Sequence, residues 1–184
     1  MTSAKDGGRA GSGADGGDAE VGVLLDVLRA ERRHVLEALD GLDEETLHRS
    51  VLPSGWSPLG LVRHLALDVE RFWFRGVVAG EEEVVAQVLA STADDNAWRL
   101  APGDDGPGVI GLYRAECASA DAVVTARTAL TPPAWWPDDQ SGHNRLHTLR
   151  EVLLHVVTET ACHAGHLDVV RELVDGRQWL VLTE

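Results

Sequence analysis

Apolar residues recur at helical spacing in four long stretches of the chain, and no stretch shows the alternating pattern of a β-strand. The expected helices span residues 18–40, 57–79, 107–130 and 148–175. Helical spacing of the apolar side chains places them on one face of each helix, and that face has to be buried against another element. The pattern therefore predicts an all-α, four-helix bundle with long connecting loops, in which residues 18–184 form a single domain.

The predicted helices have recognisable start and stop signals. Ser57 can cap the second helix, and Pro58 suits its first position. Thr148, followed three residues later by a glutamate, forms a capping box for the fourth helix. Gly41 and Gly176 are natural stops for the first and the fourth helix.

Each helix has an apolar stripe that predicts its buried face. The stripe residues are Leu24, Leu28, Val35 and Leu39 in the first helix, Val62, Leu65, Val69 and Phe72 in the second, Tyr113, Cys117, Ala120 and Val124 in the third, and Val152, Val156, Leu167 and Val170 in the fourth. Residues 42–47 are expected to form a single turn, and residues 81–90 have helical character.

The remaining segments are predicted to be irregular. Residues 1–17 contain almost nothing to bury and are expected to form a disordered tail, and residues 178–184 a short extended one. The stretches 91–106 and 131–147 are predicted to be long loops. A long loop in a compact domain either covers a site or is a solvated connection, and the solvated connection is the default expectation for 91–106.

Composition narrows the classes of partner. The formal net charge of -14 argues against binding to nucleic acid or to an anionic membrane surface. No apolar run reaches the length of a membrane span, and the N-terminus lacks an apolar signal segment, so a cytoplasmic location is expected. Cys117 and Cys162 are then expected to be buried, reduced thiols.

The fourth helix has a polar face that stands out among apolar neighbours. His155, Glu159, His163 and His166 fall within an arc of about 80° on a helix that turns 100° per residue. Three imidazoles and a carboxylate are costly to bury without a partner, and a divalent metal ion is the simplest one. A Glu and a His one turn apart are, however, also common as an ordinary surface pair.

A further histidine, His64, lies among apolar residues of the second helix. Taken alone, such a residue is more often a core histidine whose polar atoms are satisfied by neighbours. As a third ligand beside Glu159 and His163, it would complete a set of two histidines and one carboxylate, which leaves a position open for water or substrate. If one ion is to hold all three, their ligand atoms should lie about 3–4 Å apart.

Two segments have motifs that extend well beyond these single residues. SGWSPLGLVRHL has W-S-P followed by H-L, and LREVLLHVVTETACHAGHLDVVREL has H-x-x-x-E-x-x-x-H-x-G-H-x-D. Together, over residues 21–176, the sequence resembles the DinB/YfiT-like superfamily of metalloenzymes, and most closely its mini-circle protein branch in actinobacteria. The resemblance implies a four-helix bundle with a metal ion on its axis, often assembled as a homodimer.

The resemblance also implies a ligand set and a kind of chemistry. The implied ligands are His64, Glu159 and His163. Glu159 replaces a histidine found in several DinB members and resembles the arrangement in mycothiol-dependent maleylpyruvate isomerase. Known activities of the superfamily are mostly S-transfer and isomerisation with mycothiol, bacillithiol or glutathione. Zinc is the first expectation for the metal, with nickel or another transition ion as the alternative.

The sequence analysis therefore predicts a metal-dependent, thiol-using enzyme, most closely an S-transferase acting on a small-molecule electrophile. The alternative is a non-catalytic, metal-containing protein that binds a small molecule or acts in a stress response. His166 is a candidate general base, and His155 a candidate for holding a ligand in orientation. Arg171 is a candidate for binding a carboxylate of the substrate or cofactor, and an ion pair with Asp168 is its alternative role.

Overall fold

A computed structural model of the chain describes residues 13–92, 95–137 and 145–179, with side chains from residue 19 onward. Every regular element in that part of the chain is helical, which confirms the all-α prediction there. The elements are α1 (Gly13–Leu39), α2 (Glu44–His48), α3 (Pro58–His64), a π-helical segment (Leu65–Val78) that continues α3 without a break, α4 (Glu82–Ala90), α5 (Gly106–Thr125) and α6 (Leu149–Asp175).

Most of the predicted stripe residues lie in one hydrophobic core. Leu28, Val62, Leu65, Val152 and Val156 are all fully buried within it. Helices α1, α3, α5 and α6 and the π-helical segment all contribute to this core, so one continuous apolar interior supports the whole described part of the chain.

Helices α1 and α6 run parallel to each other. Arg150, near the start of α6, pairs with Glu20 on the first half of α1 at 2.6 Å. Near the other end, Asp168 of α6 accepts a hydrogen bond from His34 of α1 at 2.8 Å. Because contacts at both ends join residues in the same chain direction, the register of α6 against α1 is fixed along most of its length.

The segment formed by α3 and the π-helix runs antiparallel to α6. The ring of His64 lies 5.1 Å from that of His163 between centroids, and nine residues later Trp73 lies 4.5 Å from His155. The polar face of α6 therefore lies against this segment and is not a solvated surface.

The π-helical turns explain an error in the predicted buried face. The sequence analysis places Phe72 in the core, but Phe72 is only partly buried and Phe74 is fully buried. In a π-helix the backbone hydrogen bonds span five residues, as from the amide of Ala79 to the carbonyl of Phe74 at 2.9 Å. The wider turn moves the buried position along the sequence relative to a 3.6-residue period.

Two helix ends also differ from the prediction. Helix α1 begins at Gly13, within the expected tail, because a helix already formed adds turns at low cost. Helix α5 ends at Thr125 and not near residue 130. The carbonyls of Ala129 and Thr131 instead accept hydrogen bonds from Arg150 and Leu149, so this turn satisfies free amides at the start of α6.

A buried ion pair ties α1 to the π-helical segment. Arg32 donates two hydrogen bonds to the carboxylate of Glu70, at 2.7 and 2.6 Å, and a third at 2.6 Å to Asp121 of α5. The side chain of Arg32 is 6% exposed and that of Glu70 is 0% exposed. This fork joins three helices within the apolar core.

The remaining predictions on the fold have mixed outcomes. Both cysteines are free thiols, but Cys117 is only partly buried and Cys162 is exposed, contrary to the expectation that both are buried. None of the helices in the described residues combines the length and apolar composition needed to cross a membrane. Residues 1–12 of the expected tail, residues 138–144 of the second loop and residues 180–184 lie outside the described residues.

Candidate metal centre

His64 is the last residue of α3, and its imidazole is held from two directions. Helix α3 is capped by Ser57, whose hydroxyl accepts a hydrogen bond from the amide of Gly60. Two turns later His64 places its Nδ1 2.9 Å from a carboxylate oxygen of Asp68. The His64 side chain is 15% exposed. Because Asp68 engages Nδ1, Nε2 is the nitrogen left to bind an ion.

Glu159 and His163 lie one turn apart on α6 and face His64. The Nε2 atom of His163 is 3.6 Å from a carboxylate oxygen of Glu159. One ligand atom from each of His64, Glu159 and His163 lies within 4.8 Å of the others. We call these three residues the triad. The upper end of this spacing is slightly wider than the expected 3–4 Å, so a shared ion requires small side-chain rotations.

The electrostatic state of His163 suits a metal ligand. The pKa of His163 is lowered to about 4, mainly by burial and to a smaller extent by the neighbouring His64. The side chain is 12% exposed. At neutral pH its imidazole is therefore uncharged and has a lone pair available for a cation.

Trp98, in the loop between α4 and α5, covers the triad from the side of His64. Its indole stacks on the His64 ring with centroids 4.2 Å apart and an angle of 17° between the planes. It also lies 5.4 Å from the His163 ring. The default expectation of a solvated connection is therefore wrong for this part of the loop, which covers the site.

Two contacts bring the backbone around Trp98 close to α3. A side chain at Gly60 would collide with the carbonyl oxygen of Trp98, so only glycine permits this approach. Arg63 donates a hydrogen bond at 3.0 Å to the carbonyl of Ala97. The sequence analysis missed Trp98. The signal that could have revealed it is a tryptophan within a loop rich in Asp, Gly and Pro residues.

His166 extends the cluster of rings toward solvent. Its Nδ1 is 3.4 Å from the Nδ1 of His163, and its ring lies 6.2 Å from that of Trp56. Unlike His163, His166 is exposed. The arrangement places a titratable group next to the triad and in contact with water.

The part of the sequence that forms this site matches a known protein family. A family model described as Mycothiol-S-transferase matches residues 23–176, a range that includes the whole triad and Trp98. The chain belongs to the mycothiol S-transferase family. This membership confirms the resemblance to the DinB/YfiT-like, mycothiol-related superfamily. No curated protein and no solved structure matches the chain.

For this member of the mycothiol S-transferase family, His155 lies beside the triad and does not belong to it. Its ring packs against that of Trp73, with centroids 4.5 Å apart. Burial lowers the pKa of His155, and the negative charge of Glu159 opposes the shift. The residue is half-buried one turn before Glu159, where it can influence the orientation of that carboxylate through packing.

The prediction for Arg171 requires correction. Its guanidinium donates hydrogen bonds to the carbonyls of Ala38 and Asp40 at 2.9 and 2.7 Å and pairs with Asp175 at 2.7 Å. Asp168, its expected partner, is instead paired with His34. Arg171 therefore satisfies carbonyls at the C-terminal end of α1, where helices have unpaired acceptors. These contacts give Arg171 a structural role, and none of them is with a residue of the triad.

A cavity of about 640 Å³ lies beside Asp68. Its apolar wall includes Leu67, Phe72 and Val84, and arginines 63, 71 and 99 supply positive charge. Asp68 lines the cavity and also binds His64, whereas no triad residue lines it. The cavity and the triad are therefore neighbours that share one carboxylate.

Proposed function

We propose that this protein is a metal-dependent thiol S-transferase in which His64, Glu159 and His163 hold one divalent cation. The observation that supports this proposal most strongly is the convergence of the three ligand atoms to within 4.8 Å of one another. These residues come from two antiparallel segments separated by nearly a hundred residues of chain. Membership of the mycothiol S-transferase family supports the thiol-transfer part of the proposal.

Two imidazoles and one carboxylate suit zinc, and nickel or another transition ion is the alternative. A cation held there would lower the pKa of a thiol that reaches it, so that the thiolate is available at neutral pH. The chain provides a neutral His163, a His64 whose Nδ1 is already engaged, and the negative charge of Glu159. Such a set leaves the cation with positive charge to stabilise an anionic ligand.

Access to the triad is expected from the side of Glu159. The Glu159 side chain is 41% exposed, whereas those of His64 and His163 are only 15% and 12% exposed. This asymmetry supports an open position for an incoming thiol, and mycothiol is the thiol that the family description indicates. A small-molecule electrophile would accept the sulfur.

His166 is proposed as the general base. It is exposed to water and its Nδ1 lies 3.4 Å from the Nδ1 of His163, so it can take a proton released beside the triad and pass it to solvent. His155 is proposed to position Glu159 by packing.

We also propose that α1, α3 with the π-helical segment, α5 and α6 form the four-helix bundle of the DinB type. A homodimer and a cytoplasmic location remain predictions.

The experiment that tests this function combines metal analysis with a thiol-consumption assay. Purified protein is loaded with zinc or nickel and incubated with mycothiol and a panel of electrophiles, and the loss of free thiol is followed. We expect metal-dependent consumption with at least one electrophile, and its loss in the variant His64→Ala. Stoichiometric metal without thiol consumption by any electrophile would favour the alternative, a non-catalytic small-molecule-binding or stress-response protein.

A further inference from the structure

Two contacts restrain the His64 imidazole. One fixes the tilt of the ring plane, and the other fixes the direction in which its nitrogen atoms point. Stacking on Trp98, at 4.2 Å between centroids and 17° between planes, fixes the plane of the ring. The hydrogen bond of 2.9 Å between Nδ1 and Asp68 fixes which edge of the ring points away from the triad. The two restraints act on different degrees of freedom and come from different elements.

We propose that Asp68 is a positioning residue that prepares His64 to bind the cation, an inference that rests on the proposed function. The Asp68 carboxylate accepts the Nδ1 hydrogen and so selects the neutral tautomer whose lone pair is on Nε2. A carboxylate behind a histidine also makes that lone pair more basic, which strengthens its bond to a metal. Asp68 does not contact the cation itself.

The alternative interpretation of the contact between Asp68 and His64 is an ordinary ion pair between residues four apart on a helix surface. The 51% exposure of the Asp68 side chain agrees with that interpretation. The histidine, however, is 15% exposed and its ring contacts those of both Trp98 and His163, so it has little freedom to turn elsewhere. The two interpretations differ in what they predict for zinc affinity.

The chain contains a matched control for this comparison. Asp168 and His34 form a second carboxylate–histidine hydrogen bond, at 2.8 Å. His34 stacks on Trp179 at 4.2 Å, so this pair also has an aromatic neighbour, yet it has no part in the triad. Asp168→Asn keeps an oxygen that can accept the hydrogen bond from His34, so it should repeat the loss of charge without moving α6 or the triad.

The first measurement is the dissociation constant for zinc, obtained by competition with a chelator. We expect Asp68→Ala to bind zinc about 10–100-fold more weakly than the unsubstituted protein. Asp68→Asn should lie between the two, because its amide oxygen accepts the hydrogen bond without the negative charge. Asp168→Asn should retain the original affinity. Circular dichroism of the metal-free variants checks that all of them are folded.

The second measurement is the nitrogen NMR spectrum of the histidine rings in metal-free protein at a pH where they are neutral. We expect His64 to carry its proton on Nδ1, and the Asp68→Ala variant to show a mixture of tautomers. Unchanged zinc affinity and an unchanged tautomer in that variant would overturn the role of Asp68 alone. Failure of the unsubstituted protein to bind zinc, nickel or another divalent transition ion would overturn the proposed function, which distinguishes the two failures.

Discussion

Gly60 determines how closely the loop containing Trp98 can approach α3. In most helices, replacing glycine by alanine stabilises the fold by about 0.5–1 kcal/mol, because alanine loses less backbone entropy on folding. Here the added Cβ would collide with the carbonyl oxygen of Trp98. The steric effect is therefore expected to outweigh the gain in helix propensity.

We predict that Gly60→Ala destabilises the protein by about 1–3 kcal/mol, the usual cost of overpacking a buried position. Gly111→Ala is the matched control, because Gly111 lies in α5 and no atom lies within 4 Å of an added Cβ there. That control should be neutral or stabilising by up to about 1 kcal/mol. Urea denaturation measures both changes. Equal effects of the two substitutions would contradict the close approach of the loop.

His155 should make the stability of the metal-free protein depend on pH. Burial lowers its pKa in the folded state, whereas in the unfolded chain the pKa is about 6.5. As the pH falls through 6.5, the unfolded chain takes up a proton that the folded protein does not, so folding stability is lost. We expect a smaller loss between pH 7.5 and 5.5 in His155→Gln, measured by urea denaturation with a chelator present. Parallel curves would contradict this prediction.

The candidate ligands could be predicted from the sequence because they follow the period of a helix. Glu159 and His163 are one turn apart, and that spacing alone places them on one face. Tertiary packing decides which element lies against that face of α6. The spacing along α6 therefore could not identify His64, which was identified from the W-S-P and H-L motif of the second predicted helix. Trp98 could not be predicted because its contact with His64 depends on the path of an irregular loop. The role of Arg171 depends on where α1 ends in space, which the local sequence does not encode.

Helix registers were predictable only where the helix is regular. The stripes of α1, α5 and α6 were predicted with a period of 3.6 residues and mostly lie in the core. The π-helical segment shifts the buried position from Phe72 to Phe74, because its hydrogen bonds span five residues. The same segment contains Asp68 and Glu70, so its unusual geometry also sets the positions of two carboxylates, one beside His64 and one opposite Arg32.

The fork from Arg32 to Glu70 is expected to be the most sensitive contact between α1 and the π-helical segment. Arg32→Met should destabilise the protein by about 3–5 kcal/mol, because it leaves a buried carboxylate without its partner. The double variant with Glu70→Met should recover most of that loss, since an apolar pair of similar size is often neutral. Denaturant titration of the three proteins measures this. A loss below about 1 kcal/mol in the single variant would show that the fork contributes little.

The chain as a whole brings the two ligand-bearing segments together by running them antiparallel. The register of α6 is set on its other side by parallel contacts to α1, through Arg150 with Glu20 and Asp168 with His34. These contacts lie near the two ends of α6, with Glu159 and His163 between them. The hydrophobic core includes none of the three triad residues, so loss of a single ligand should leave the fold intact.

The central claim is that the triad binds one divalent cation, and calorimetric titration of metal-free protein with zinc tests it most directly. We predict one equivalent of zinc per chain for the unsubstituted protein and for His48→Ala, a control in which an exposed histidine of α2 is removed. His64→Ala, Glu159→Ala and His163→Ala should each lose stoichiometric binding and remain folded by circular dichroism. Zinc binding that is unchanged in His64→Ala would contradict the claim.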